Sequence, residues 1–260
     1  MDITRRKMAM GLLTLPATMA LTGCQSVASN QTSSKRMNKI VSDKLSEELN
    51  DESTARILAP YIMEANFNMT PPTRPISKAS TLIAFAFGNR PNASGDPNQL
   101  AEPGPMNAEL ARCCAEVWRK KPMPMYVQWE IARHLNTPAY ADITSTDIIS
   151  VEPIIDNGKL VYLSTDGVAA DIINKHFNGT PSALKQTVVI GHRDHVKRCI
   201  MTCKARQISA FAPQEIKLPV WYDELSDQPW TRRRDLYVLT DITAQLTMMK
   251  DANIAQAYPS

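Results

Sequence analysis

Short apolar runs that break into polar clusters, with helical stretches between them, constrain this chain most. Thr81-Leu-Ile-Ala-Phe-Ala-Phe87 ends at Gly88-Asn89-Arg90, and Pro124-Met-Tyr-Val-Gln-Trp129 leads into Glu130. Leu160-Val-Tyr-Leu163 leads into Ser164-Thr165-Asp166, and Thr187-Val-Val-Ile190 breaks at Gly191 before His192-Arg193-Asp194-His195. Runs without polar alternation suit strands covered on both faces, as in parallel sheets. Further strands are expected at 143–152 and Ile208–Ala212. Helical spacing falls between them: from an Asn107 cap to about Lys120, Glu130 to Leu135, Asp166 to His176, from near Arg193 to about Arg206, and about Thr231 to Lys250. This alternation predicts an α/β fold, a three-layer α/β/α sandwich whose mainly parallel sheet is joined by right-handed crossovers.

Ahead of that domain the chain changes character. Thr4-Arg5-Arg6-Lys7 is a basic start with a twin-arginine look, Met8 to Leu21 is mildly apolar, and Leu21-Thr-Gly-Cys24 has the form of a bacterial lipobox. We read 1–24 as a lipoprotein signal peptide, with Cys24 lipidated. Gln25 after the cysteine favours an outer-membrane anchor facing the periplasm over inner-membrane retention. A polar tether is expected over 25–36 and a helical extension over 37–77, leaving 78–260 as the α/β domain. No other segment approaches the roughly 20 apolar residues of a membrane span.

A net charge of +3 gives no footprint for nucleic acid, and neither a dinucleotide fingerprint nor a P-loop is present, so no cofactor is expected. Cys113 and Cys114 are adjacent, and Cys199 and Cys203 lie one helical turn apart, spacings that suit a zinc site poorly. They read as buried free thiols, with one disulfide between the two pairs as the alternative in an oxidising compartment.

In a parallel sheet all strand carboxyl ends share one edge, which gathers the polar clusters there. Six ionisable side chains crowd into residues 192–198: His192, Arg193, Asp194, His195, Lys197 and Arg198. Anion recognition follows from Arg90, Arg193 and Arg198, planar donors that grip a phosphate or carboxylate, assisted by amides at a helix start. Gly88, Asn89, Asp166 and His192 join them as expected ligand-binding residues. His192 and His195 are expected to titrate near neutrality; His195 is the candidate proton carrier, with Glu130 orienting it or acting as a base. Asp194 reads either as support for a helix start or as half of an i,i+4 pair with Arg198, and Lys197 as a solvated helix side chain. Metal binding is not expected, since H-E-x-x-H is absent, and Ser164 lacks the G-x-S-x-G setting of a hydrolase.

These residues resemble the YdcF-like family of bacterial proteins, which includes the envelope proteins SanA and ElyC. The likeness spans about residues 78–250 and rests on Phe87-Gly88-Asn89, Gln128-Trp129-Glu130, and the H-x-x-R spacing of His195 and Arg198 after Val188-Val-Ile190. The family's glycine-rich first turn is replaced by Asn89-Arg90 and its Ser-Gly-Gly by Gln-Trp, and its T-x-E-N stretch has a faint echo at Thr165-Asp166-Gly167. The resemblance implies a Rossmann-like sandwich and an association with envelope biogenesis. The expected function is a membrane-anchored periplasmic protein that binds an anionic or phosphorylated small molecule. Its rival is a non-catalytic envelope factor holding a protein partner through the tryptophan-bearing loop of Trp221 to Trp230 and the Arg232-Arg-Arg234 stretch.

Overall fold

The computed structural model describes residues 20–259, with side chains from 33 onward. The twin-arginine-like start and the side chain of Cys24 therefore lie outside the described residues. Two compact units divide the chain, one ending at Met63 and the other beginning at Glu64.

The first unit is helical. Helix α1 (Ala20–Leu49) runs through 25–36, where a tether was expected; that segment contains neither Gly nor Pro, so nothing in its backbone chemistry interrupts the helix. Its exposed surface carries i,i+4 pairs such as Lys39–Asp43 and Lys44–Glu48. Asn50 stops it with a left-handed φ of 51°. The Asp51 carboxylate then accepts the Thr54 amide and starts helix α2 (Glu52–Phe67).

The second unit begins at Glu64 rather than at 78, within the last turns of α2. Lys197 explains part of this. Instead of being solvated it is 5% exposed, pairs with the Glu64 carboxylate at 2.8 Å, and donates to the carbonyls of Glu64 and Asn68. A buried ammonium thereby caps the free carbonyls at the carboxyl end of α2.

Six parallel strands form the sheet, in the order β1 (Thr73–Arg74), β8 (Ser209–Pro213), β7 (Gln186–Ile190), β2 (Thr81–Ala84), β3 (Met125–Gln128), β4 (Ile148–Val151). Alternate side chains serve opposite faces. Leu82, Ala84, Met125, Val127, Val188 and Ile190 pack with α3 (Pro105–Lys120) and α4 (Trp129–Leu135). Ile83, Tyr126 and Val189 pack with α5 (Thr165–Phe177) and α6 (Val196–Ala205). This is the Rossmann-like three-layer α/β/α sandwich, and each fully buried aliphatic side chain in it contributes about 1.5–3 kcal/mol. Cys113 and Cys114 sit in the first layer of contacts and Cys199 and Cys203 in the second, so the sheet separates the pairs; all four are free buried thiols.

Two sequence expectations change. Asn107 is not a cap: α3 starts at Pro105, whose missing amide costs nothing in a first turn, and Asn107 is fully buried. The expected strand at 160–163 lies outside the sheet. It forms β6 (Lys159–Val161), antiparallel to β5 (Ile154–Asp156). The two are joined across Asn157-Gly158, whose φ values of 48° and 75° make a tight hairpin turn.

The chain runs outward from β2 through β3 to β4, then returns to the other side of β2 at β7. The order reverses between β2 and β7, so their diverging connections open a crevice at the carboxyl ends.

Candidate functional site

A cavity of about 240 Å³ occupies that crevice. Its floor is the turn after β2, its sides the ends of β3, α5 and α6, and its outer wall the 228–231 segment with α7 (Arg234–Ala257). The β2 turn is held by side chains rather than by sheet pairing. Gln128 Oε1 accepts the Ala86 amide at 2.7 Å and Asn107 Oδ1 the Phe87 amide at 2.9 Å, while the Asn107 amide group donates to the carbonyls of Gly88 and Pro103. Gly88 takes a φ of 67°, and a Cβ there would stand 2.8 Å from Ser226 Oγ and 2.9 Å from Thr231 Oγ1. Both the left-handed backbone and the close hydroxyls require glycine.

The α6 side is a polar network anchored on α7. The Asp241 carboxylate accepts Arg198 Nε at 2.6 Å, the Tyr237 hydroxyl at 3.3 Å and Gln245 Nε2 at 2.7 Å. Arg198 also donates from Nη1 to Thr165 Oγ1 at 3.2 Å, and from Nη2 to Tyr237 OH at 3.2 Å and His195 Nδ1 at 3.1 Å. A guanidinium has five N–H groups, so this leaves one Nη1 hydrogen without a protein acceptor. Because Arg198 can only donate, His195 Nδ1 must be bare, and the ring carries its proton on Nε2. Burial and the neighbouring Arg198 charge lower the His195 pKa to about 4, outweighing the attraction of Asp241.

Glu130, in the first turn of α4, lines the same cavity as His195 and Arg198. It is 5% exposed and its Oε2 has no hydrogen-bond partner. Burial raises its pKa to about 7 against its own backbone amide. Proton exchange near neutrality therefore belongs to Glu130, whereas both histidines of the turn, expected there, are driven low by burial.

Gly88, Glu130, His195 and Arg198 are thus brought together. Arg90 forms a two-bond pair with Asp223 at 2.8 and 3.0 Å, and Asp166 one with Arg206 at 2.6 Å on each bond, both away from the cavity lining. Asn89 is buried, but its carbonyl serves the Ser226 hydroxyl and the Asp227 amide. His192 stacks on Phe87 with centroids 4.1 Å apart, accepts the Asp194 amide on Nδ1 and meets the Trp221 carbonyl with Nε2 at 3.1 Å. Asp194 pairs with Arg193 and Arg234 and accepts the Tyr222 hydroxyl at 2.7 Å, rather than pairing with Arg198. These contacts overcome the cost of its burial and hold its pKa at about 2.

No family model, curated protein or solved structure matches this chain. Geometry alone therefore bears on the chemistry of the site. Tyr237 and Asp241 were missed in the sequence; with Gln245 they stand at i, i+4 and i+8, one polar stripe along α7 that periodicity displays. Trp230, which the sequence singles out only as part of a partner-binding loop, and Tyr162 also line the cavity. Among the described residues no cluster of metal-ligating side chains occurs and no helix is long and apolar enough to cross a membrane.

Proposed function

We propose that the crevice between β2 and β7 binds a small molecule through an anionic group, with Glu130 exchanging a proton at the ligand. The observation that carries this reading is Arg198: it lies in the lining at the switch point, fixed by four hydrogen bonds, with one Nη1 hydrogen left over. A planar donor held rigid in this way loses little entropy when it grips an oxyanion. Thr165, at the first turn of the thirteen-residue α5, adds a hydroxyl and the favourable end of the helix. His195, neutral, offers Nε2–H as a donor, so the proposed anion site has Arg198, its charge balanced by Asp241, and several neutral donors in place of the three arginines expected from sequence. A single phosphate or carboxylate suits it better than a polyanion.

Inorganic phosphate tests this. It is expected to raise the unfolding temperature of the native chain, and Arg198→Lys and Thr165→Ala should each weaken the effect about tenfold in apparent affinity. Arg198→Lys keeps the charge beside Asp241 and loses the fork, so it separates recognition from folding. Stabilisation by phosphate that is unchanged in both variants would end the reading.

We infer further that the chain is a divergent YdcF-like lipoprotein of the periplasmic face of the outer membrane, acting in envelope biogenesis. Support comes from the basic start, the lipobox ending at Cys24, and the His195–Arg198 spacing after β7. Cys24→Ala is expected to move the protein from the membrane to the soluble fraction; retention with membranes would count against the anchor.

A further inference from the structure

We propose that the ligand's anionic group is carried on a hydroxylated ring, so that the cavity takes a sugar phosphate rather than a bare anion or a nucleotide. The inference deepens the anion reading and rests on it. The anion side occupies only the Arg198 and Thr165 wall. The rest of the lining includes planar polar groups and aromatic rings, and the grip of Arg198 and Thr165 on an oxyanion does not account for them.

Gln128 is one such group. Its Oε1 is taken by the Ala86 amide at 2.7 Å, which fixes the side chain and leaves the Nε2 hydrogens for a ligand. Glu130 is the second: it lines the cavity, and its buried Oε2 has no partner within the protein. An amide and a carboxyl on nearby positions of one wall match neighbouring ring hydroxyls, each of which both donates and accepts.

The aromatic side chains have a complementary place. Tyr162 has its hydroxyl occupied by the Ala101 amide at 2.8 Å and its ring against Trp129, 6.0 Å between centroids and 25° from parallel. It lines the cavity as a ring fixed at its hydroxyl oxygen, with the O–H hydrogen still free to donate. Trp230 lines the same cavity and stays 46% exposed. An indole is a large apolar surface to leave in water unless something else covers it. Exposed indole and phenol rings beside amide and carboxyl groups suit a pyranose, which has C–H faces and a hydroxyl rim. A nucleobase would instead call for a flat slot between apolar faces. The cavity, at about 240 Å³, is also small. It lies below the usual size of sites for drug-sized molecules, which favours a single ring.

Calorimetric titration of the full chain with glucose 1-phosphate, inorganic phosphate, glucose and adenosine monophosphate decides the matter. Glucose 1-phosphate is expected to bind about tenfold tighter than phosphate, and Trp230→Ala and Glu130→Gln should each erase that difference. Trp230 is half exposed and Glu130→Gln keeps the side-chain shape, so both variants remain folded, which circular dichroism verifies. Equal affinity for glucose 1-phosphate and phosphate overturns the sugar inference and leaves the anion reading standing. So does a difference that survives both variants, or tighter binding of the nucleotide. Glucose binding as tightly as its phosphate, or no binding by any of the four, overturns the anion reading and this inference with it.

Discussion

His192 and His195 stand three positions apart in the turn after β7, both buried and both with a pKa of about 4, yet they belong to different structures. His192, with Arg193 and Asp194, fastens the turn to the 219–237 segment: the Arg193 amide donates to the Pro219 carbonyl at 3.0 Å, and Asp194 gathers Tyr222 and Arg234. Arg198 faces the cavity, braced by Tyr237 and Asp241 from α7, and donates to His195 beside it. One half of the charged turn holds the outer wall in place; the other half is the wall of the site. Charge density in sequence does not distinguish a clasp from a binding surface. What distinguishes them is which side chains the tertiary structure places in the cavity lining.

Removing the acid from each half should give the largest contrast. Asp241→Ala leaves the mostly buried Arg198 guanidinium without a counter-charge. A loss of about 3–5 kcal/mol is expected in urea unfolding. Asp194→Ala frees Arg193 and Arg234, whose side chains are 44% and 62% exposed and resume hydration. Here a loss of about 1–2 kcal/mol is expected, chiefly from the Tyr222 hydroxyl. Equal losses would mean that the two halves form one network.

Titration gives the next effect. Each histidine has a folded pKa of about 4 against 6.5 when free, so its contribution is present above 6.5 and is lost as pH falls toward 4. Glu130 runs the other way: with about 7 against 4.5, its contribution is full below 4.5 and is lost as pH rises to 7. Between 4.5 and 6.5 the unfolded chain gains up to two protons through the histidines and gives up one at Glu130. Unfolding free energy should therefore fall with acid by one proton's worth, at most about 1.4 kcal/mol per pH unit. Glu130→Gln should steepen this slope, while His192→Gln and His195→Gln should each flatten it, with only His195→Gln also weakening phosphate binding. Identical binding losses from the two histidine variants would erase the distinction drawn between them.

The smallest effect sharpens the same boundary. Arg193→Ala removes an exposed pair. It should cost under about 1 kcal/mol, with phosphate affinity unchanged. A drop in affinity comparable to that of Arg198→Lys would place Arg193 in the site.

Much of the sheet was legible because strands covered on both faces leave continuous apolar runs, as in Thr81–Ala84 and Thr187–Ile190. The strand expected at 160–163 pairs outside the sheet because Asn157-Gly158 is a strong hairpin signal, and β5 and β6, with mostly exposed side chains, carry no core pattern. Within the site, Gly88, Glu130, His195 and Arg198 were found because each closely follows a strand. Arg90, Arg193 and Asp166 satisfied the same criterion, but Asp223, Asp194 and Arg206 hold them away from the cavity lining, and of these only Asp194 is a sequence neighbour of its partner.

By itself, then, the sequence determined that this chain builds a parallel α/β sheet with polar strand ends on one edge, since burial of apolar strands depends on local composition and period. Only the tertiary structure decided which of those polar ends remain available to a ligand. That depends on partners brought from far along the chain: Asp241, forty-three residues from Arg198, holds it in the cavity wall, and Asp223, 133 residues from Arg90, holds that arginine outside. Burial set the rest, leaving the histidines neutral and bringing the Glu130 carboxyl to titrate near pH 7, because the cost of a charge depends on the water it loses rather than on the residues beside it in sequence.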